Sequence, residues 1–242
     1  MDAFSLPLAM AILAYTLVPS TLAFLGGPGQ ARGGPKLLDL ALMLLFWLPL
    51  ELGLGGRWIP RPAQGFLHTV AYGVAITLAL TVFLCFRELK GMKYNLPGTA
   101  RDFVFPLAGF VLVAPFLITL GLLLGFIQPF HVPEQLSWTR VLTTYAVILA
   151  GVALPEEILF RGLIQNWLMQ KLGASNRTLL VAAVIFGAAH FNNGPGPLPN
   201  WRYAILATIA GLAYGKVFQA SSSVFASAFL HALVNTVRHT FF

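Results

Sequence analysis

The chain has 242 residues, of which 57% are hydrophobic and only 10% charged, with a formal net charge of +7 and a mean hydropathy of +0.78. Soluble domains carry about 25% charged residues, so this composition excludes an ordinary soluble domain and points to an integral membrane protein. The 15 Lys and Arg are scattered over short segments with no dense basic stripe, which excludes a nucleic-acid-binding surface. The single cysteine, Cys85, has no intrachain disulfide partner and says little about redox compartment.

A membrane-crossing helix needs about 20 predominantly apolar residues. On that measure the sequence predicts up to eight helices, roughly over 5–25, 37–54, 66–86, 103–127, 139–168, 178–191, 202–218 and 224–240. Gly-, Pro- and Asn-rich breaks separate them. The expected fold is therefore all-α, a polytopic transmembrane bundle of about eight helices forming one integral membrane domain over 1–242. Within it, 1–138 read as generic membrane helices and 139–240 as a more distinctive core. The fifth segment is too long for one upright span, and Pro155 in its middle predicts a kink or a fresh helix start. The Met1-Asp2 start lacks a basic region, so the first segment is expected to be a retained helix rather than a cleaved signal peptide.

Loop charge predicts an orientation. Arg32, Lys36, Arg87, Lys90, Lys93, Arg101, Lys171, Arg177 and Lys216 fall on one side, and Arg57, Arg61, Arg140, Arg202 and Arg238 on the other. The positive-inside rule then puts both termini outside the cytoplasm.

Two adjacent carboxylates stand out in the fifth segment. Charged side chains inside a membrane cost several kcal/mol by order of magnitude, so they mark pairs or functional sites. On a helix, Glu157 and Arg161 are i and i+4 and share a face. Glu156 is turned about 100° away, which leaves it free for another role. A buried carboxylate with a raised pKa suits a general base. The bland alternative is that both glutamates are ion-paired helix glue. Phe186-Gly187-Ala188-Ala189-His190 puts a histidine one turn after a phenylalanine, next to small residues that let another helix approach. Taken alone, His190 reads as an interfacial histidine bonded to a loop carbonyl. His231 and Asn235 are again i and i+4. Asn is suited to holding an oxyanion, and the bland reading is interhelical hydrogen bonding. His239, eight residues after His231, lies near the C-terminus, where an interfacial position is expected.

Together, and in this order, the three motifs resemble those of the CPBP family of intramembrane proteases, whose best-known members are the type II CAAX prenyl proteases. The family patterns EExxxR, FxxxH and HxxxN match as Glu156-Glu157…Arg161, Phe186…His190 and His231…Asn235, and the resemblance spans roughly 139–240. Gly211 and Gly215 form a small-xxx-small pair on the preceding helix. The resemblance implies that Glu156 and His190 activate water and that His231 and Asn235 hold the oxyanion. It also implies a Glu157–Arg161 structural pair and Phe186 packed beside the site. Two His and one carboxylate, His190, His231 and Glu156, are also a plausible zinc set. The expected scheme nevertheless uses no metal or other cofactor, because Asn235 is a poor zinc ligand and a good oxyanion donor.

The sequence thus predicts a CPBP-type intramembrane endopeptidase. Its partners would be a membrane-anchored or prenylated peptide or protein tail and the lipid bilayer, with no nucleic acid. The expected location is the bacterial cytoplasmic membrane. Rival readings are a transporter or proton-coupled channel built on the same Glu, His and Arg residues, and a catalytically silent scaffold of the same fold.

Overall fold

The computed structural model describes residues 6–28, 34–54, 64–193 and 197–242. The extreme N-terminus, and Arg32, Arg57 and Arg61 of the charge count, lie outside the described residues. Among the described residues every regular element is helical. The order is α1 (Leu6–Gly26), α2 (Leu37–Glu51), α3 (Gln64–Leu80) extended by a π-helical turn (Thr81–Phe86), α4 (Arg101–Leu123), α5 (Trp138–Ile148), α6 (Leu154–Glu157), α7 (Asn166–Leu172), α8 (Asn176–Ala188), α9 (Trp201–Ala220) and α10 (Val224–Phe241). Two π-helical turns, Leu149–Ala153 and Ile158–Gln165, join α5, α6 and α7 without a break, which makes eight helical rods among these residues. Pro155 falls in the first turn of α6, which starts at Leu154 directly after a π turn, so α-helix resumes at the proline as expected. Pro155 has no N–H to donate to the carbonyl of Gly151, four residues earlier, and Gly151 lies in the widened turn that absorbs this.

Helices α1 and α4 are long and apolar enough to cross a membrane. Val111, Leu112 and Leu123 of α4 are among the most exposed large apolar side chains, which suits a face against hydrocarbon.

The chain divides into two compact units, Met1–Gly91 and Met92–Phe242. In the first unit the buried carboxylate of Asp39 accepts from the Lys36 amide at 2.6 Å, satisfying one open donor at the start of α2. Its other oxygen pairs with Arg87 at 2.6 Å. Arg87 also donates to the carbonyl of Gly27, past the end of α1. One ion pair thus gathers three chain segments.

The second unit starts with a loop that functions as a clamp. Asp102 accepts from Gly98 N, Thr99 N and Thr99 Oγ1 at 3.1, 3.0 and 2.9 Å. It also accepts from Ser222 N and Oγ at 2.7 and 2.6 Å. Lys93 Nζ donates to the carbonyls of Phe218 and Ser221 at 2.6 and 2.7 Å, capping the open C-terminal end of α9. Burial lowers the pKa of Lys93 from its ordinary value, and the Asp102 carboxylate opposes that. The α9–α10 turn is thereby fixed to residues 93–102. Helices α5, α8, α9 and α10 each begin on a side-chain cap, from Ser137, Ser175, Asn200 and Ser223.

Helices α8 and α9 form the closest contact of this unit. A Cβ built on Gly187 would lie 2.6 Å from the Ala204 carbonyl oxygen and would overlap Thr208 Oγ1; one on Gly211 would lie 3.1 Å from Phe186. Only glycine allows this approach, and it sets His190 against α9. Gly187→Ala is expected to lower stability by about 1–3 kcal/mol, the usual range for overpacking. Gly98→Ala, whose Cβ meets nothing within 4 Å, is expected to have little effect. Thermal unfolding of both variants in detergent micelles checks this.

Candidate active site

The site is built around α6, four residues of ordinary α-helix between two π turns. A π turn widens the helix and rotates the residues beyond it, and such turns recur at functional sites. Small residues let α10 close on this stretch. Ala153, Ala228 and Ala232 are fully buried together, and the two alanines of α10 flank His231.

Glu157 is fully buried and serves two partners. Its Oε2 lies 3.0 Å from Arg161 Nε, with both side chains wholly inaccessible. Its Oε1 lies 3.1 Å from His231 Nδ1. The Arg161 guanidinium stacks 4.5 Å above the ring of Phe186 and 5.7 Å from that of Tyr214, so cation–π attraction supplements the ion pair. Phe186 in turn meets Phe160 edge-on at 4.9 Å and His190 at 4.7 Å. Tyr214 stacks on His231 at 4.7 Å with an interplanar angle of 18°.

Glu156 points the other way. Its Oε2 lies 3.8 Å from His190 Nε2 and 4.0 Å from His231 Nε2, and that oxygen accepts no direct hydrogen bond. The second nitrogen of each imidazole is anchored. His190 Nδ1 lies 2.8 Å from the carbonyl of Phe186, one of the open carbonyls at the end of α8. A carbonyl can only accept, so Nδ1 carries the proton and the Nε2 of neutral His190 is a base. His231 Nδ1 correspondingly faces the Glu157 carboxylate, whose other oxygen faces Arg161.

His190, His231 and Asn235 line one cavity of about 80 Å³ with Phe186, Tyr203 and Tyr214, large enough to hold water. The structure brings Glu156 Oε2 to both histidines, sets Asn235 and Phe186 in the cavity wall with those histidines while Glu156 is not among the lining residues, and places Glu157 and Arg161 behind them. His239 is exposed and lines a second groove between α5 and α10, which shares Asn235 and Arg238 with the cavity. Sequence reasoning missed Tyr203, whose ring lies 4.6 Å from that of His190, and Tyr214. It also missed Arg238, which lines the same cavity although the sequence places it among the flanking charges. Arg238 falls seven residues after His231 on the same helical face, and that spacing is a signal the sequence carries. The zinc alternative would use Glu156, His190 and His231. Among the described residues no three His, Cys, Asp or Glu groups stand in a metal-holding arrangement.

A half-buried carboxylate set against two anchored imidazoles inside a helix bundle is an arrangement able to polarise a small polar molecule, and comparison with known families supplies the class. The chain carries an Rce1-like domain of the type II CAAX prenyl endopeptidases, whose family profile matches residues 137–237. That stretch contains all three motifs and makes the chain a polytopic membrane protein acting on a peptide or protein substrate. No curated protein and no solved structure matches the chain.

Removing one partner of a fully buried ion pair leaves an uncompensated charge. Glu157→Gln is therefore expected to destabilise the fold by about 3–5 kcal/mol, with loss of the His231 orientation. Thermal melts of purified protein in detergent measure the first effect.

Proposed function

We propose that the chain is an intramembrane endopeptidase that cleaves near the end of a membrane-anchored peptide or protein tail, with prenylated tails the leading candidates. Water is activated by Glu156 and His190, and the oxyanion is held by His231 and Asn235. The observation that carries this reading is the placement of Glu156 Oε2 at 3.8 and 4.0 Å from two imidazole Nε2 atoms whose other nitrogens are both anchored. These gaps are too long for direct hydrogen bonds. Each would admit one bridging water after opening by roughly half an ångström, given ordinary hydrogen-bond lengths and angles.

In this scheme Glu156 and His190 both present acceptors, so a water between them gives a hydrogen bond to each and turns its oxygen lone pair towards the carbonyl carbon. Attack forms the C–O bond and places negative charge on the former carbonyl oxygen. The water proton passes to Glu156. His231 can donate from Nε2 only as an imidazolium, because its Nδ1 proton is committed to Glu157. His231 and Asn235 then act as preorganised donors in a poorly hydrated site, where such donors are most effective. Collapse breaks the C–N bond, and the proton held on Glu156 goes to the leaving amine.

Glu156→Gln is expected to fold with wild-type stability and to lose cleavage of a prenylated peptide reconstituted in vesicles, followed by chromatography of the products. An active Glu156→Gln enzyme overturns the proposal. Asn235→Ala is expected to lower kcat about 10²–10³-fold with little change in KM, the signature of losing one oxyanion donor. Chelation followed by elemental analysis is expected to leave activity intact. Stoichiometric zinc that is lost in His231→Ala, and that restores chelated wild type, would replace this scheme with a metal-assisted one.

A further inference from the structure

Helices α4 and α9 each present a second side, turned away from the site. Phe110 and Ala114 of α4 and Ala210 and Tyr214 of α9 line the site cavity. On the other side the same two helices part around a groove of about 610 Å³. Leu112, Val113 and Phe116 of α4 and Ile209, Leu212 and Ala213 of α9 form its walls. Within each helix these positions recur at three- and four-residue spacing, which is one helical face.

The groove has one polar end. Lys216 and Asn176 stand there, and Lys216 Nζ donates to Asn176 Oδ1 at 2.8 Å. Helix termini meet at that end: α9 stops at Ala220, α8 starts at Asn176 and α4 starts at Arg101. Gly109 belongs to the same end, since a Cβ on it would meet Val217 at 3.3 Å. Phe116 and Ile209 come seven residues farther along their helices, about 10 Å deeper. Lys216 is exposed, as are Arg177, next to Asn176, and Lys171, in the last turn of α7. Among the described residues none of these three cations forms a salt bridge, and no Asp or Glu lines the groove. The first turn of α8 adds the positive end of its dipole. On the orientation read from loop charge, this end faces the cytoplasm, where the leaflet carries anionic lipids.

We infer that the groove between α4 and α9 binds one anionic phospholipid, with an acyl chain lying along Leu112, Phe116 and Leu212 and the phosphate held at Lys216. The polarity of the groove matches a lipid in its leaflet, with charge at the helix ends and hydrocarbon towards the bilayer interior. Leu112 and Phe116 are exposed beside it, so an acyl chain enters sideways from the bilayer. A zwitterionic lipid presents its own ammonium to the same cations, and that selects the anionic class. A second copy of the chain is the poorer occupant. The chain has only 8 acidic residues, and Asp39, Asp102 and Glu157 are buried. The bound lipid lies against the back of the helices whose front carries Tyr214, so it braces the site wall without entering the reaction. This lipid site does not depend on the proteolytic reading.

The test uses the full chain in detergent micelles and reads bound lipid by native mass spectrometry. Its probes are phosphatidylglycerol and phosphatidylcholine with identical acyl chains. One phosphatidylglycerol per chain is expected to bind about five- to thirtyfold more tightly than phosphatidylcholine, the range for one or two cations near an anionic headgroup. Lys216→Gln is expected to cut that preference about fivefold and Lys216→Arg to keep it. Arg140→Gln, at the opposite end of the bundle, is expected to leave it unchanged. Ala213→Phe, which fills the groove, is expected to weaken both lipids alike. Equal retention of the two lipids by the wild type overturns the inference, as does a preference untouched by Lys216→Gln or wild-type binding in Ala213→Phe. Glycerol phosphate that competes as well as the whole lipid also overturns it, because the groove then has no part. So does a dimer that forms without lipid and excludes it. Cleavage is not read, so failure of the protease proposal leaves this result untouched. The wild-type comparison decides the matter even where a variant does not fold.

Discussion

Glu157 carries a negative charge where water does not reach, and the second unit is organised around keeping it satisfied. One oxygen faces Arg161 on its own rod and the other faces His231 on α10. An isolated charge at that depth would be far less favourable than a neutral one. The pairing therefore fixes α10 against α6 more firmly than apolar contact alone, because hydrocarbon gives helices little reason to prefer each other over lipid. Once that link is in place, the positions of the other site residues are set. His231 is turned so that its free nitrogen faces Glu156, and Tyr214 stacks on its open face.

The aromatic groups around the pair set how the charge is held. Phe186 touches Arg161, His190 and His231 at once, so one side chain separates the structural cation from the two imidazoles. A ring face attracts the guanidinium without offering it a hydrogen bond, and this leaves Glu157 as its partner. The glycines of α8 and α9 bring the Phe186 and Tyr214 backbones close enough for that arrangement.

Much of this is legible in the sequence. The helical rods are long apolar runs, and their observed ends differ from the expected ones by only a few residues. The meeting of Glu156, His190 and His231 is legible from the resemblance of the three motifs, taken together, to those of one family, because i, i+4 spacing by itself pairs Glu157 with Arg161 and only leaves Glu156 facing elsewhere. The π turns on either side of α6 are not, since a widened turn leaves no mark on hydrophobic periodicity. Pro155 signals a fresh start, and ordinary α-helix does resume there, with the lost hydrogen bond falling in the widened turn around Gly151. Arg238 and Lys93 read as loop and flank charges. Sequence position near a segment end does not reveal whether a long cationic side chain turns outward to water or inward, over aromatic rings in one case and onto helix-end carbonyls in the other.

The clamp formed by Lys93 and Asp102 bears on where the catalytic module begins. The family profile starts at residue 137, but the turn that launches α10 is held by side chains more than thirty residues earlier, and the compact unit begins at Met92. The family match and the compact unit therefore have different borders in this chain. Helix α4 and the loop before it are an integral brace of the hydrolytic core, although no motif within them advertises that duty.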